Sequence, residues 1–103
     1  MAITRINTFE AKPGQASELL EFLSSVIALI IGAPGCRSVE LLVGHDAPGR
    51  LAIVEIWESV EAHQASVSRI PQNLFQKAQT LFGSPPVGTY YESLLKADGK
   101  SPE

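Results

Sequence analysis

The chain has 103 residues, 45% of them hydrophobic, with eight Lys and Arg against eleven Asp and Glu for a net charge of −3. That length fits one domain with one core, and basic residues scattered singly make no stripe for phosphates, so neither nucleic acid nor a membrane surface is an expected partner. The longest apolar stretch, Val26 to Ile31, is far below the roughly 20 residues that span a bilayer. The amino terminus lacks the basic start and apolar core of a signal peptide, and a cytoplasmic location is expected.

Ile3 to Glu10 alternates as a strand, with Ile3, Arg5, Asn7 and Phe9 in one phase and Thr4, Ile6 and Thr8 in the other. Pro13 and Gly14 break it. From Gln15 to Ile31 the residues Ala16, Leu19, Leu20, Leu23, Val26, Ile27 and Ile30 recur at helical spacing. Phe22, Leu29 and Ile31 widen that face beyond what one sheet needs, as if it also lined a cavity or a subunit contact. Gly32, Pro34 and Gly35 stop the helix. Cys36, the sole cysteine, excludes an internal disulfide and a thiolate cluster, and reads as a small apolar filler because no neighbouring His or Lys is visible to lower its pKa.

Arg37 to His45 reads as a second strand, joined through the turn formers His45 to Gly49 to a third that ends at Trp57. Ser59 stands at an N-cap position with Glu61 in the first turn, for a helix ending near Arg69. Pro71 suits the start of a further helix with a face of Leu74, Phe75, Ala78, Leu81 and Phe82, closed by Gly83 as a left-handed cap. Ser84-Pro85-Pro86 then precedes a last strand, Val87 to Leu95. Residues 1–95 form the single predicted domain, and 96–103 are expected to be a flexible tail.

The third strand carries apolar residues in both phases, Ala52, Val54 and Ile56 against Leu51, Ile53 and Trp57. Such a strand needs cover on two sides. The order of elements is that of an α+β, ferredoxin-like β-α-β-β-α-(α)-β fold with a four-stranded antiparallel sheet, whose helices cover one face only. A second copy of the chain over the other face, hence a homodimer, is the expectation.

Phosphate loops, zinc and calcium motifs and nucleophile elbows are absent. His45 with Asp46 and His63 with Glu61 lack metal-site spacing, so no metal is expected at either place; solvated surface groups are the alternative to a metal there, and for His63 a solvated helix histidine stands level with a functional one. Asn7 and Glu55 are polar residues in otherwise apolar phases of the first and third strands, neighbours in such a sheet. If those phases face the helices, Asn7, Glu55 and Trp57 line one cavity. Glu55 has two readings, a buried base with raised pKa or one partner of an ion pair with Arg5 or Arg50, and the ion pair is expected.

The region from Ile3 to about Leu94 resembles the antibiotic biosynthesis monooxygenase family. The resemblance lies in Lys12-Pro13-Gly14, Pro34-Gly35-Cys36, Glu55-Ile56-Trp57-Glu58-Ser59, Glu61-Ala62-His63 and Tyr90-Tyr91-Glu92. It implies dimeric α/β barrels and, in one branch, a cofactor-independent monooxygenase that oxidises a small electron-rich aromatic (phenol, quinol or anthrone) with dioxygen, using neither flavin nor metal. By resemblance Asn7 polarises the substrate oxygen, Trp57 forms a wall or acts near the ring, and His63 is the nearest base, although the family often places its helix histidine where this chain has Ser66. Phe9, Phe22, Glu55 and Phe75 are the expected substrate-binding residues.

A haem-degrading branch also matches at Asn7 and Trp57. Its iron ligand is a histidine on the later helix, where this chain has Gln76 and Gln79, so no cofactor is expected and haem ranks second. A non-catalytic small-ligand-binding or stress-response dimer is the further alternative.

Overall fold

The computed structural model describes residues 2–99. The strands are β1 (Ile3–Glu10), β2 (Cys36–Gly44), β3 (Ala47–Trp57) and β4 (Val87–Tyr91); the helices are α1 (Ala16–Ile30), α2 (Val60–Ser66) and α3 (Gln72–Gln79). They form one antiparallel sheet in the order β2-β3-β1-β4, the ferredoxin-like arrangement, with the helices on one face.

Register explains the division of the two faces. Arg5 lies opposite Glu55, Asn7 opposite Ile53 and Phe9 opposite Leu51, so the polar residues of β1 and β3 share the helix-covered face. On that face Leu51 and Ile53 are buried with Leu19, Phe22 and Leu23 of α1 and with Ala78 and Leu81, Trp57 is buried in a second cluster with Ile30 and Ala33, and Glu55 is buried as well. On the other face Ala52, Val54 and Ile56 are only half-buried, and Leu42, Val87 and Tyr91 are exposed at 42%, 60% and 49%. The sheet is therefore apolar on a side that its own helices leave open.

Local signals hold at several places. Ser59 caps α2, its hydroxyl accepting from the Ala62 amide at 3.1 Å. Gly35, at φ +84°, sits so close to α2 that a Cβ there would lie 2.7 Å from the Ala62 Cβ. Only glycine fits both the left-handed backbone and the close approach. The β2–β3 turn is tighter than the five-residue loop expected, since Gly44 already pairs with Ala47 around His45 and Asp46.

Three expectations at the carboxyl end are corrected. The helix face does not continue through Phe82: α3 stops at Gln79, and the chain reverses so that Phe82 bridges Ala11 and the Lys12 amide donates to the Leu81 carbonyl at 2.9 Å. Gly83 is not a left-handed cap; among the described residues only Gly14 and Gly35 have positive φ. Its lack of a side chain serves close contact, because a Cβ would meet the Ala11 carbonyl oxygen at 2.9 Å. The last strand ends at Tyr91, not Leu95, since Tyr91 pairs with Thr4 and β1 begins at Ile3, leaving Leu94 and Leu95 without a strand to pair with and 99% and 86% exposed. The part of the expected flexible tail at 100–103 lies outside the described residues.

Candidate active site

Between the inner sheet face and the helices lies a cavity of about 270 Å³, its walls mostly apolar. Phe9, Phe22 and Phe75, each assigned to a substrate site from sequence, all line it, and the polar groups reaching it are Arg5, Asn7, Glu55, His63 and Ser66. A wider cleft of about 370 Å³ lies on the open sheet face among Leu42, Arg50 and Val87, but it holds no buried ionisable group. The buried carboxylate, Glu55, lies on the helix side.

Glu55 is 4% exposed, and both its oxygens have donors: Asn7 Nδ2 at 2.9 Å to Oε2 and Trp57 Nε1 at 2.7 Å to Oε1. Burial pushes its pKa above the ordinary carboxylate range, and the Trp57 bond, the Arg5 charge and the Asn7 bond offset this only in part. Period-two alternation puts Glu55 and Trp57 on one face two residues apart, which is why a tryptophan can serve its own strand neighbour. Trp57 is fully buried and does not line the cavity. Its expected place in the wall is corrected to a place behind Glu55.

The expected ion pair of Glu55 is also corrected. Arg5 is its register partner, yet Asn7 stands between them, accepting from Arg5 Nε at 3.1 Å on Oδ1 while donating to Glu55. Arg50 lies opposite Glu10, in the opposite phase.

His63 is not a solvated helix residue. Its side chain is 13% exposed, edge-on to Trp57 and Tyr90 with ring centroids 5.5 and 5.3 Å away. Nδ1 lies 2.6 Å from the Tyr90 hydroxyl and Nε2 3.8 Å from Glu55 Oε1. A proton on Nε2 with the Tyr90 hydroxyl donating to Nδ1 satisfies both neighbours. Burial, then the Arg5 charge, lowers the His63 pKa, which keeps the ring neutral near pH 7. Ser66 is buried and donates to the His63 carbonyl at 2.6 Å, so it fixes the helix turn that carries His63. His45 and Asp46, by contrast, are 97% and 95% exposed.

The family model described as antibiotic biosynthesis monooxygenase matches residues 2–80. The chain belongs to the antibiotic biosynthesis monooxygenase family. Solved structures with the same fold include Rv0793 from Mycobacterium tuberculosis, at 27% identity and TM-score 0.78 over 95% of this chain and 100% of that one. NE2512 from Nitrosomonas europaea, of unknown function, has 25% identity and TM-score 0.77 over 97% and 96%. SnoaB from Streptomyces nogalater, a cofactor-independent oxygenase, has 15% identity and TM-score 0.76 over 92% and 95%. A search of curated proteins found no match.

In this antibiotic biosynthesis monooxygenase fold the side chains converge on acid–base chemistry: a buried carboxylate with raised pKa beside a neutral imidazole. No three His, Cys, Asp or Glu side chains gather to hold a metal among the described residues. Haem does not fit these residues. The cavity side of α3 presents Leu74, Phe75 and Ala78, and both nitrogens of His63 face partners in Tyr90 and Glu55. Three residues of the site escaped assignment: Arg5, signalled by its phase with Asn7 and Phe9; Ser66, on the helix turn that carries His63; and Tyr90, named only within the Tyr90-Tyr91-Glu92 resemblance, which meets His63 across 27 positions. No helix among the described residues is long and apolar enough to cross a membrane.

Proposed function

We propose that the protein is a cofactor-independent monooxygenase of a small electron-rich aromatic, with Glu55 as the base. The observation that carries this reading is a buried carboxylate with raised pKa opening onto an apolar cavity walled by Phe9, Phe22 and Phe75. An ionised carboxylate has about four acceptor positions. Asn7 and Trp57 occupy two, which leaves room for a substrate proton. Asn7 holds Glu55 in place and keeps its second Nδ2 hydrogen for the substrate oxygen. His63, tethered by Tyr90, places its Nε2 hydrogen toward Oε1 and steadies the ionised form.

With an anthrone, Glu55 removes a ring C–H proton and the resulting anion passes one electron to dioxygen. The radical and superoxide combine to form a C–O bond. Loss of the second hydrogen from that carbon, with cleavage of the O–O bond, gives the quinone, so one anthrone and one dioxygen yield one anthraquinone and one water. Apolar walls favour this sequence by excluding water from the anion and the peroxide. The likeness to the cofactor-independent oxygenase SnoaB supports the reading.

A homodimer belongs to the same reading, supported by the half-buried Val54 and Ile56 and the exposed Leu42 and Val87 on the open sheet face. Sedimentation should show a dimer that Ile56→Asp dissociates; a wild-type monomer would remove this part. The activity is tested by incubating chelator-treated protein with anthrone in air. Oxygen uptake equal to anthraquinone formed is expected. Protein that accelerates neither, while quenching ligand fluorescence, would be a binder and not an enzyme.

A further inference from the structure

Arg5 sits at the β4 side of the cavity. Its Nε is committed to Asn7 and its guanidinium carbon lies 4.5 Å from the centre of the Tyr90 ring. The Nη groups have no hydrogen-bond partner among the described residues, and no described carboxylate stands within ion-pair distance. Guanidinium groups in such partly buried positions ordinarily face a carboxylate or phosphate across their two-pronged edge. Here Asn7 separates Arg5 from the nearest candidate, Glu55, so both charges stay available to the cavity.

The backbone makes room for this cation. Gly88 of β4 lies opposite Asn7, and a Cβ there would overlap Arg5 Nη2 and come within 2.6 Å of both Arg5 Cζ and Asn7 Oδ1. Glycine at 88 thus leaves the space in which the guanidinium lies over the Tyr90 ring.

From these features we infer that Arg5, cradled by Gly88 and Tyr90, is an anion subsite, and that the substrate is an aromatic carrying a carboxylate. The inference rests on the cavity being the substrate site. The ring lies between Phe9, Phe22 and Phe75, and the carboxylate takes hydrogen bonds from the Nη groups while the oxidisable carbon is turned toward Glu55. The Arg5 subsite selects and orients the substrate; the proton transfer stays with Glu55.

The test uses two redox-inert fluorescent probes, 2-naphthoate and its neutral isostere 2-naphthamide, so binding is read without turnover. One charge-assisted bidentate contact predicts that wild type binds the acid about tenfold to a hundredfold more tightly than the amide. Arg5→Gln should abolish that preference while amide affinity stays. Gly88→Ala, which alters no charge, should reduce it by displacing the guanidinium. Equal binding of acid and amide by wild type, binding of neither, or a preference that survives both variants overturns the subsite. Oxygen uptake with a neutral anthrone but no preference for the acid would remove this inference and leave the oxygenase standing. Preference for the acid with no oxygen uptake on any anthrone or quinol would do the reverse.

Discussion

Replacing Trp57 by Phe isolates one hydrogen bond of the proposed base. The indole Nε1 donates to Glu55 Oε1 at 2.7 Å, and this bond is the largest of the contributions that oppose the rise in Glu55 pKa caused by burial. A hydrogen bond to a charged group contributes about 1.5–3 kcal/mol. Its loss leaves the ionised carboxylate less stable by that amount, so on the acid side the fraction of competent base falls about tenfold to a hundredfold. The sign is fixed: the pKa rises further, and the acid limb of kcat/KM against pH moves to higher pH while the alkaline plateau survives. Trp57 is fully buried, so the variant also loses some stability. A retained phenyl ring holds this below the about 3–5 kcal/mol of full truncation. Profiles of wild type and Trp57→Phe at equal folded fraction, checked by urea titration, give the answer. A profile lowered evenly at every pH, with no displaced limb, would show that Trp57 only packs and that the argument about Glu55 is wrong.

Further outcomes follow from the same geometry. Asn7→Ala should reduce oxygenation at least as much as His63→Ala, because without the intervening amide Arg5 can pair directly with Glu55 and weaken it as a base; unchanged turnover in both variants would remove the site. For His63, burial lowers the folded-state pKa, so its contribution to stability is complete above about 6.5 and is lost as pH falls through the lowered value. His63→Gln should therefore flatten the decline of the urea midpoint on the acid side, and a steeper decline would contradict the burial argument. Glu55 has the opposite sign, its contribution being complete below about 4.5 and lost as pH rises through the raised folded-state value. Gly14→Ala, at φ +79° in open space, should cost about 1–2 kcal/mol for the left-handed backbone alone. Gly35→Ala adds overlap with Ala62 and should cost about 1–3 kcal/mol more, so equal thermal shifts for the two would refute the packing reading.

Much of the fold was legible because local periodicity and register agree. The two-phase apolar pattern of Leu51 to Trp57 announced a strand covered on one side by helices and left apolar on the other, and the phase of Asn7 and Glu55 brought both to one cavity. Contacts set by tertiary geometry were less readable. Alternation alone cannot say whether the neighbour of an inward carboxylate will be a cation or an amide, and the interposed Asn7 decides that only once register and rotamers are fixed. The sequence left His63 open between a base and a solvated helix residue because a seven-residue helix gives little sign of which face is buried; Trp57 and Tyr90, from two different strands, enclose it. The end of β4 depended on where its partner β1 begins, which the alternating residues up to Leu95 could not report.

In the proposed reaction Glu55 takes a proton from an aromatic bound in the cavity. Mixing anthrone with the protein under strictly anaerobic conditions separates this step from every later one, since the anthrone anion absorbs where anthrone itself does not. Wild type should develop that absorption at near-neutral pH, and Glu55→Gln, folded but without the base, should not. Equal anion formation by the variant, or none by wild type, would show that Glu55 is not the base.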